Sequence, residues 1–138
     1  MLRPAPDFRH KLASVGLGVD DVAQQASISR AAIFEHDSRL TNYALEHFAE
    51  LPGMRVLGPR GERGAIVGFV MESAHPHDLT TFADQRGLAL RGGHHCNQPL
   101  MRRFGLPGTT RASFYFYNTT EEIDRMIDIL RDAARFFA

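Results

Sequence analysis

The chain has 138 residues, 43% of them hydrophobic, which suits one compact domain with a real core. Its 16 basic residues balance 16 acidic ones, so no basic footprint argues for a nucleic-acid partner. No apolar run approaches the roughly 20 residues of a membrane span, and Met1-Leu2-Arg3-Pro4-Ala5-Pro6 holds no apolar signal core, so neither a membrane partner nor export is expected.

In chain order, residues 1–14 carry Pro4 and Pro6 without periodicity and read as an irregular lead-in. A helix is predicted from Gly16 to Gln25. A longer one follows through Ile33, Leu40, Ala44, Phe48 and Leu51, which recur near the 3.6-residue period, and Pro52-Gly53 ends it. Met54 to Leu57 reads as a short strand and Pro59 to Gly64 as a charged loop. Ala65 to Met71 is a near-continuous apolar run, the pattern of a buried strand. His75-Pro76-His77-Asp78 opens a helix with Leu79, Phe82 and Ala83 on its inner face and Gly87 just past its end. Leu88 to Leu90 is predicted as the strand that delivers Arg91, Pro99 to Phe104 as a short helix, and Arg111 to Tyr117 as an alternating strand. Thr119 and Glu122 have capping-box spacing. The helix after them lines up Ile123, Met126, Ile127, Leu130, Ala134 and Phe137, a face that needs a sheet to bury it. The fold class is α/β: a small mixed sheet covered by helices.

Arg91-Gly92-Gly93-His94-His95-Cys96-Asn97-Gln98-Pro99 holds the only cysteine in the chain. One Cys excludes an internal disulfide, and a free thiol fits a reducing cytoplasm. Nearby positive charge and histidine favour the nucleophilic thiolate. Glycines let the backbone turn sharply and leave the sulfur little shielded. The competing reading is a small buried hydrophobe, for which His94, His95, Asn97 and Gln98 are poor company. The two histidines either assist the thiolate or hold the loop.

This segment, continuing through Leu100-Met101, resembles the active-cysteine loop of SUF-type cysteine desulfurases, members of the class V aminotransferase family that depend on pyridoxal phosphate. The resemblance continues in Gly105-Leu106-Pro107-Gly108-Thr109-Thr110-Arg111-Ala112-Ser113 and in Tyr117-Asn118-Thr119. Upstream it includes Leu51 to Pro59, His75-Pro76-His77-Asp78 and Gly87 to Arg91. It is dense from Glu35 onward and looser before that, where Val15-Gly16-Leu17-Gly18 is similar to the family's helix entering the small domain. Gly92 stands where the family more often has threonine or alanine.

The resemblance implies that residues 15–138 are the C-terminal small domain of a fold-type I pyridoxal-phosphate enzyme. It implies that Cys96 is the nucleophile that takes sulfur from L-cysteine as a persulfide, releasing L-alanine. Arg111 would bind the substrate carboxylate through two parallel charge-assisted bonds, and its competing role is a surface ion pair at the start of a strand. Arg91 would lie at the base of the cysteine loop, with His94 and His95 as loop support. The implied partners are a sulfur-acceptor protein and a large-domain chain, and the implied role is iron–sulfur cluster assembly. In the family the cofactor lysine sits in a large-domain His-Lys motif. Here the only lysine is Lys11, in Arg9-His10-Lys11-Leu12, a candidate Schiff-base residue that the few residues before it do not equip with a cofactor pocket. Stable binding of pyridoxal phosphate by this chain alone is therefore not expected.

Two other classes of function compete. His75, His77, His94, His95 and Cys96 are ligand types that zinc prefers, but they lack Cys-x-x-Cys or His-Glu-x-x-His spacing. The chain could also be a non-catalytic fragment or split-enzyme partner acting as an interaction module. The apolar face of the predicted 33–51 helix, uncovered without a large domain, is expected to drive self-association.

Overall fold

The computed structural model describes residues 30–59 and 63–138. The predicted 16–25 helix, the 1–14 lead-in and Lys11 lie outside the described residues. Helix α1 runs Arg30–Phe48, strand β1 Met54–Leu57, β2 Ile66–Met71, helix α2 Pro76–Asp84, β3 Arg91–Gly93, helix α3 Gln98–Phe104, β4 Thr109–Ser113 and helix α4 Thr120–Phe136. The α/β class is as the sequence implies.

The strands form one sheet in the order β1-β2-β4-β3. All three pairings are antiparallel, so the described sheet is not mixed. The reason is topological. Strands β2 and β3 run parallel and are joined by α2, but β4 returns between them and pairs with both. The crossover unit therefore contains no parallel ladder.

Helix α1 packs on β1 and β2, α2 on β3 and β4, and α4 against both helices. The core lies between these helices and one face of the sheet, where Val67, Phe69, Met71 and Ala112 meet Leu40, Ala44, Phe48, Leu79, Ile123, Met126 and Leu130. Strand β2 is thus buried on alternate residues only, and Ile66 on the other face is 50% exposed. The apolar face of α1 is used in the chain's own core and is not the uncovered surface the sequence suggested.

Other boundaries shift for local reasons. Helix α1 ends at Phe48, residues 49–50 turn, and Leu51 enters the core from beyond the helix. Residues 88–90 are not a strand, because pairing with β4 begins at Arg91. Strand β4 spans Thr109–Ser113, and residues 116–117 form a turn. The capping box of α4 forms as predicted. Its buried stripe continues through Ile129 and Ala133, leaving Ala134 and Phe137 only partly buried, since a 3.6-residue period from Met126 lands nearer 133 than 134.

The first turn of α2 sits directly over β3. His75 caps it, its Nδ1 accepting the His77 N–H at 3.3 Å, and Pro76 occupies the first turn. A Cβ on Gly92 would lie 2.8 Å from the Pro76 carbonyl oxygen and 3.1 Å from Thr80 Cγ2. Only glycine lets helix and strand approach this closely. No described helix is long and apolar enough to cross a membrane.

Candidate active site

Strand β3 ends at Gly93, and His94 to Asn97 lead from it into α3. Two successive non-glycine residues of this turn, His95 (φ 53°) and Cys96 (φ 62°), take left-handed conformations. Such conformations are costly for L-residues and persist where the surroundings hold them. Here the thiol of Cys96 is exposed, which removes the buried-hydrophobe reading.

The turn is tied to the segment entering β4. His94 Nε2 lies 3.1 Å from the Pro107 carbonyl and His95 Nε2 lies 3.1 Å from the Thr109 carbonyl. The two segments also touch through backbone, since a Cβ on Gly108 would meet Gly93 atoms at 3.3 Å. A carbonyl only accepts, so each Nε2 carries the donating hydrogen. His95 Nδ1 is buried without a partner. An N–H there would be stranded at a cost of about 1–3 kcal/mol, so the neutral Nε2–H form is favoured. Burial lowers the His95 pKa most, the Thr109 carbonyl opposes it, and the charges of Arg111, Arg91 and His94 lower it further.

Arg111 is the middle residue of β4 and stands directly opposite Arg91 on β3. It is not at the start of a strand, and among the described residues neither arginine is in an ion pair with a carboxylate. Arg111 is half-buried and its Nε has no hydrogen-bond partner. Two like charges in register, one with a stranded donor, form a site complementary to an anion, and a carboxylate suits the planar guanidinium.

Two shallow hollows meet at Arg91. One is lined by Arg91, His77, Gly93, His94, His95 and Cys96, the other by Arg91, Arg111, Ser113, Tyr115 and Tyr117. The hollow beside the Cys96 thiol and the hollow beside Arg111 therefore share Arg91 as a common wall. Tyr115 and Tyr117 pack edge to face at 5.8 Å. Burial, with Glu122 and Tyr115 nearby, pushes the Tyr117 hydroxyl above its usual pKa, so it stays protonated and able to donate. Sequence reasoning passed over Tyr115, and weighed His77 only for the helix start and for zinc, because nothing in their local pattern says which hollow they border.

The floor of the second hollow is held from below by Asn118, which is 2% exposed. Its Oδ1 accepts the Tyr115 N–H at 2.9 Å, its Nδ2 donates to Glu122 Oε2 at 2.8 Å, and its carbonyl lies 3.0 Å from His36 Nε2 on α1. Asn118 belongs to the turn before the last helix. His75 and His77 serve the start of α2. Among the described residues no three His, Cys, Asp or Glu side chains come together as a metal set, so the five zinc-type residues do not converge. The described residues hold no lysine and do not by themselves fit a cofactor carried on a lysine amine. What they fit is a carboxylate beside a thiol.

Known proteins share this fold and much of its sequence. A probable cysteine desulfurase of Streptomyces coelicolor is 43% identical over 126 residues, covering 90% of this chain and 30% of the relative. One from Staphylococcus epidermidis is 42% identical over 108 residues, covering 78% and 26%. Among solved structures, the cysteine desulfurase CsdA (S-sulfonic acid) from Escherichia coli superposes with a TM-score of 0.76 at 28% identity, over 85% of this chain and 29% of that one. The apo cysteine desulfurase of Thermococcus onnurineus NA1 gives 0.72 at 31% identity, over 75% and 26%. The chain thus spans less than a third of the length of these relatives. The profile of the family Aminotransferase class-V matches residues 14–126. With fold and sequence in agreement, the chain belongs to the class V aminotransferase family.

Proposed function

We propose that this chain is the small-domain part, residues 15–138, of a cysteine desulfurase or selenocysteine lyase-like enzyme, and that it carries the persulfide-forming cysteine. The observation that supports this most is the exposed Cys96 thiol on a turn tied to the strand that bears Arg111. Arg111 binds the carboxylate of L-cysteine, and Arg91 closes the other side of that carboxylate and borders the sulfur. The Cys96 thiolate attacks the substrate sulfur. An S–S bond forms as the substrate C–S bond breaks, the electron pair passes to the substrate carbon, and that carbon takes a proton to become L-alanine. The sulfur stays on Cys96 as a persulfide and passes to the thiol of an acceptor protein, the supply step for iron–sulfur clusters in the cytoplasm. His94 and His95 support the loop.

Pyridoxal phosphate supplies the electron sink in the family, and in this reading a large domain holds it. Lys11 is the weaker alternative as its anchor. In the alternative reading, this chain is a non-catalytic fragment or split-enzyme partner that acts as an interaction module. Any self-association belongs to the uncovered sheet face around Ile66, since α1 is already packed.

The test is reconstitution. Mix the chain with the complementary large-domain portion of the Streptomyces coelicolor relative, pyridoxal phosphate and L-cysteine, and follow L-alanine and persulfide by mass spectrometry. Alanine release with sulfur on Cys96, lost in Cys96→Ser and Arg111→Ala, supports the reading. Alanine release that persists in Cys96→Ser overturns it.

A further inference from the structure

We propose that His95 is a positioning residue: fixed as its Nε2–H form, it ties the turn bearing Cys96 to the Thr109 carbonyl and so sets the thiol against Arg111, two residues along the same strand. The inference rests on the roles given to Cys96 and Arg111 above and says how the chain itself brings them together.

The tie spans 14 residues at 3.1 Å and joins the residue beside the nucleophile to the strand of the carboxylate site. One form of the ring alone satisfies the geometry. A hydrogen on Nδ1 would be buried without an acceptor, while Nε2 would turn a lone pair on the lone pairs of the Thr109 oxygen. The ring is therefore held in one state and cannot exchange roles between its nitrogens.

The backbone needs such a hold. His95 and Cys96 both have positive φ, and a pair of left-handed L-residues relaxes unless its surroundings fix it. The other hydrogen bonds of this turn, Asn97 N–H to the His94 carbonyl at 2.9 Å and Met101 N–H to the Asn97 carbonyl at 3.3 Å, are local and carry no information about β4. His94 makes a second tie, but to Pro107 outside the strand and at an exposed site. Among the described hydrogen bonds of residues 94–97, that of His95 is the one that reaches β4 itself. The groups that face it with charge are Arg111 on β4, Arg91 on β3 and His94 on the turn, and all three disfavour a second proton on the ring.

The experiment uses the full chain. Nitrogen-15 correlation spectra of the wild-type imidazole near pH 7 read the protonated nitrogen directly, and amide order parameters read the turn. We expect a single Nε2–H form and order parameters of about 0.85 for residues 95–97. His95→Ala should drop them below about 0.6 while circular dichroism stays native, and His95→Gln, which keeps a donor at the reach of Nε2, should restore them. An Nδ1–H form or an averaged ring in the wild type overturns the proposal whatever the variants do. So does an unchanged turn in His95→Ala, or a loss in His95→Gln equal to that in alanine. A tied turn together with no sulfur on Cys96 in the reconstitution would remove the desulfurase reading and leave the tie standing, so the two failures are distinct.

Discussion

Arg91 and Arg111 are partners in register on adjacent strands, each facing the other across the β3–β4 ladder. Like charges placed directly opposite destabilise a sheet by about 0.2–1 kcal/mol. A fold selected for stability alone would not keep them. The pair makes sense as a site completed by an anion, which converts the repulsion into binding.

Replacing one member should therefore stabilise the free chain and harm the site. Arg91→Thr removes the repulsion and adds a residue that suits a strand, so the free energy of unfolding should rise by about 0.5 kcal/mol. Added salt should stabilise the wild type more than the variant, because screening relieves the same repulsion. Urea titrations at low and high ionic strength read both effects. A less stable Arg91→Thr would show that the guanidinium is held by partners and is structural.

Gly92 makes the opposite kind of prediction. The family more often has threonine or alanine at this position, yet a Cβ here would press on the Pro76 carbonyl. Gly92→Thr should force the first turn of α2 outward and cost about 1–3 kcal/mol, as overpacking does. Gly92→Ala should cost less, because it adds one atom. Thermal unfolding of the two variants checks the order. Equal or higher stability would mean that α2 rides freely over β3.

Part of this arrangement was legible in the sequence. Cys96, Arg91, Arg111, His94 and His95, which the resemblance singles out, line two adjoining hollows. The capping box at Thr119 and Glu122 was readable because it is local. What was not legible depended on distant pairing. Strand β3 begins at Arg91 and not Leu88 because β4 is its partner, and β4 is 16 residues further on. The half-exposed Ile66 could not be separated from Val67 and Phe69 within an apolar run, since which face is covered is decided by α1 and α2. His77 and Tyr115 border the hollows only through packing that no local pattern records.

The His95 ring gives the chain a pH dependence with a definite sign. Its pKa in the folded chain lies below the ordinary 6.5. Above that ordinary value both folded and unfolded chains hold the ring neutral, and the contribution to stability is fully present. As the pH falls, the unfolded chain takes up the proton first, so stability is lost progressively until the folded value is passed. His95→Gln cannot take the proton and should show a shallower loss on acidification below pH 6.5. Melting temperatures from pH 7.5 downward compare the two slopes. Parallel curves would place the sensitivity in another group.

Cys96 carries the functional reading, and its exposure is the part that can be tested on the chain alone. The thiol lies at the surface on a left-handed turn, beside a hollow that includes Arg91, His77 and the two histidines of the loop. Nothing has to unfold for a reagent or an acceptor thiol to reach it. Iodoacetamide should therefore label the native chain once, at Cys96, with no lag, and the rate should not increase in mild denaturant. A persulfide placed on Cys96 by polysulfide treatment should pass to an acceptor protein thiol, since attack on the outer sulfur needs only the same access. Labelling that appears only after unfolding would contradict the exposed turn. Prompt labelling without any transfer would leave an accessible thiol whose loop no longer hands sulfur on.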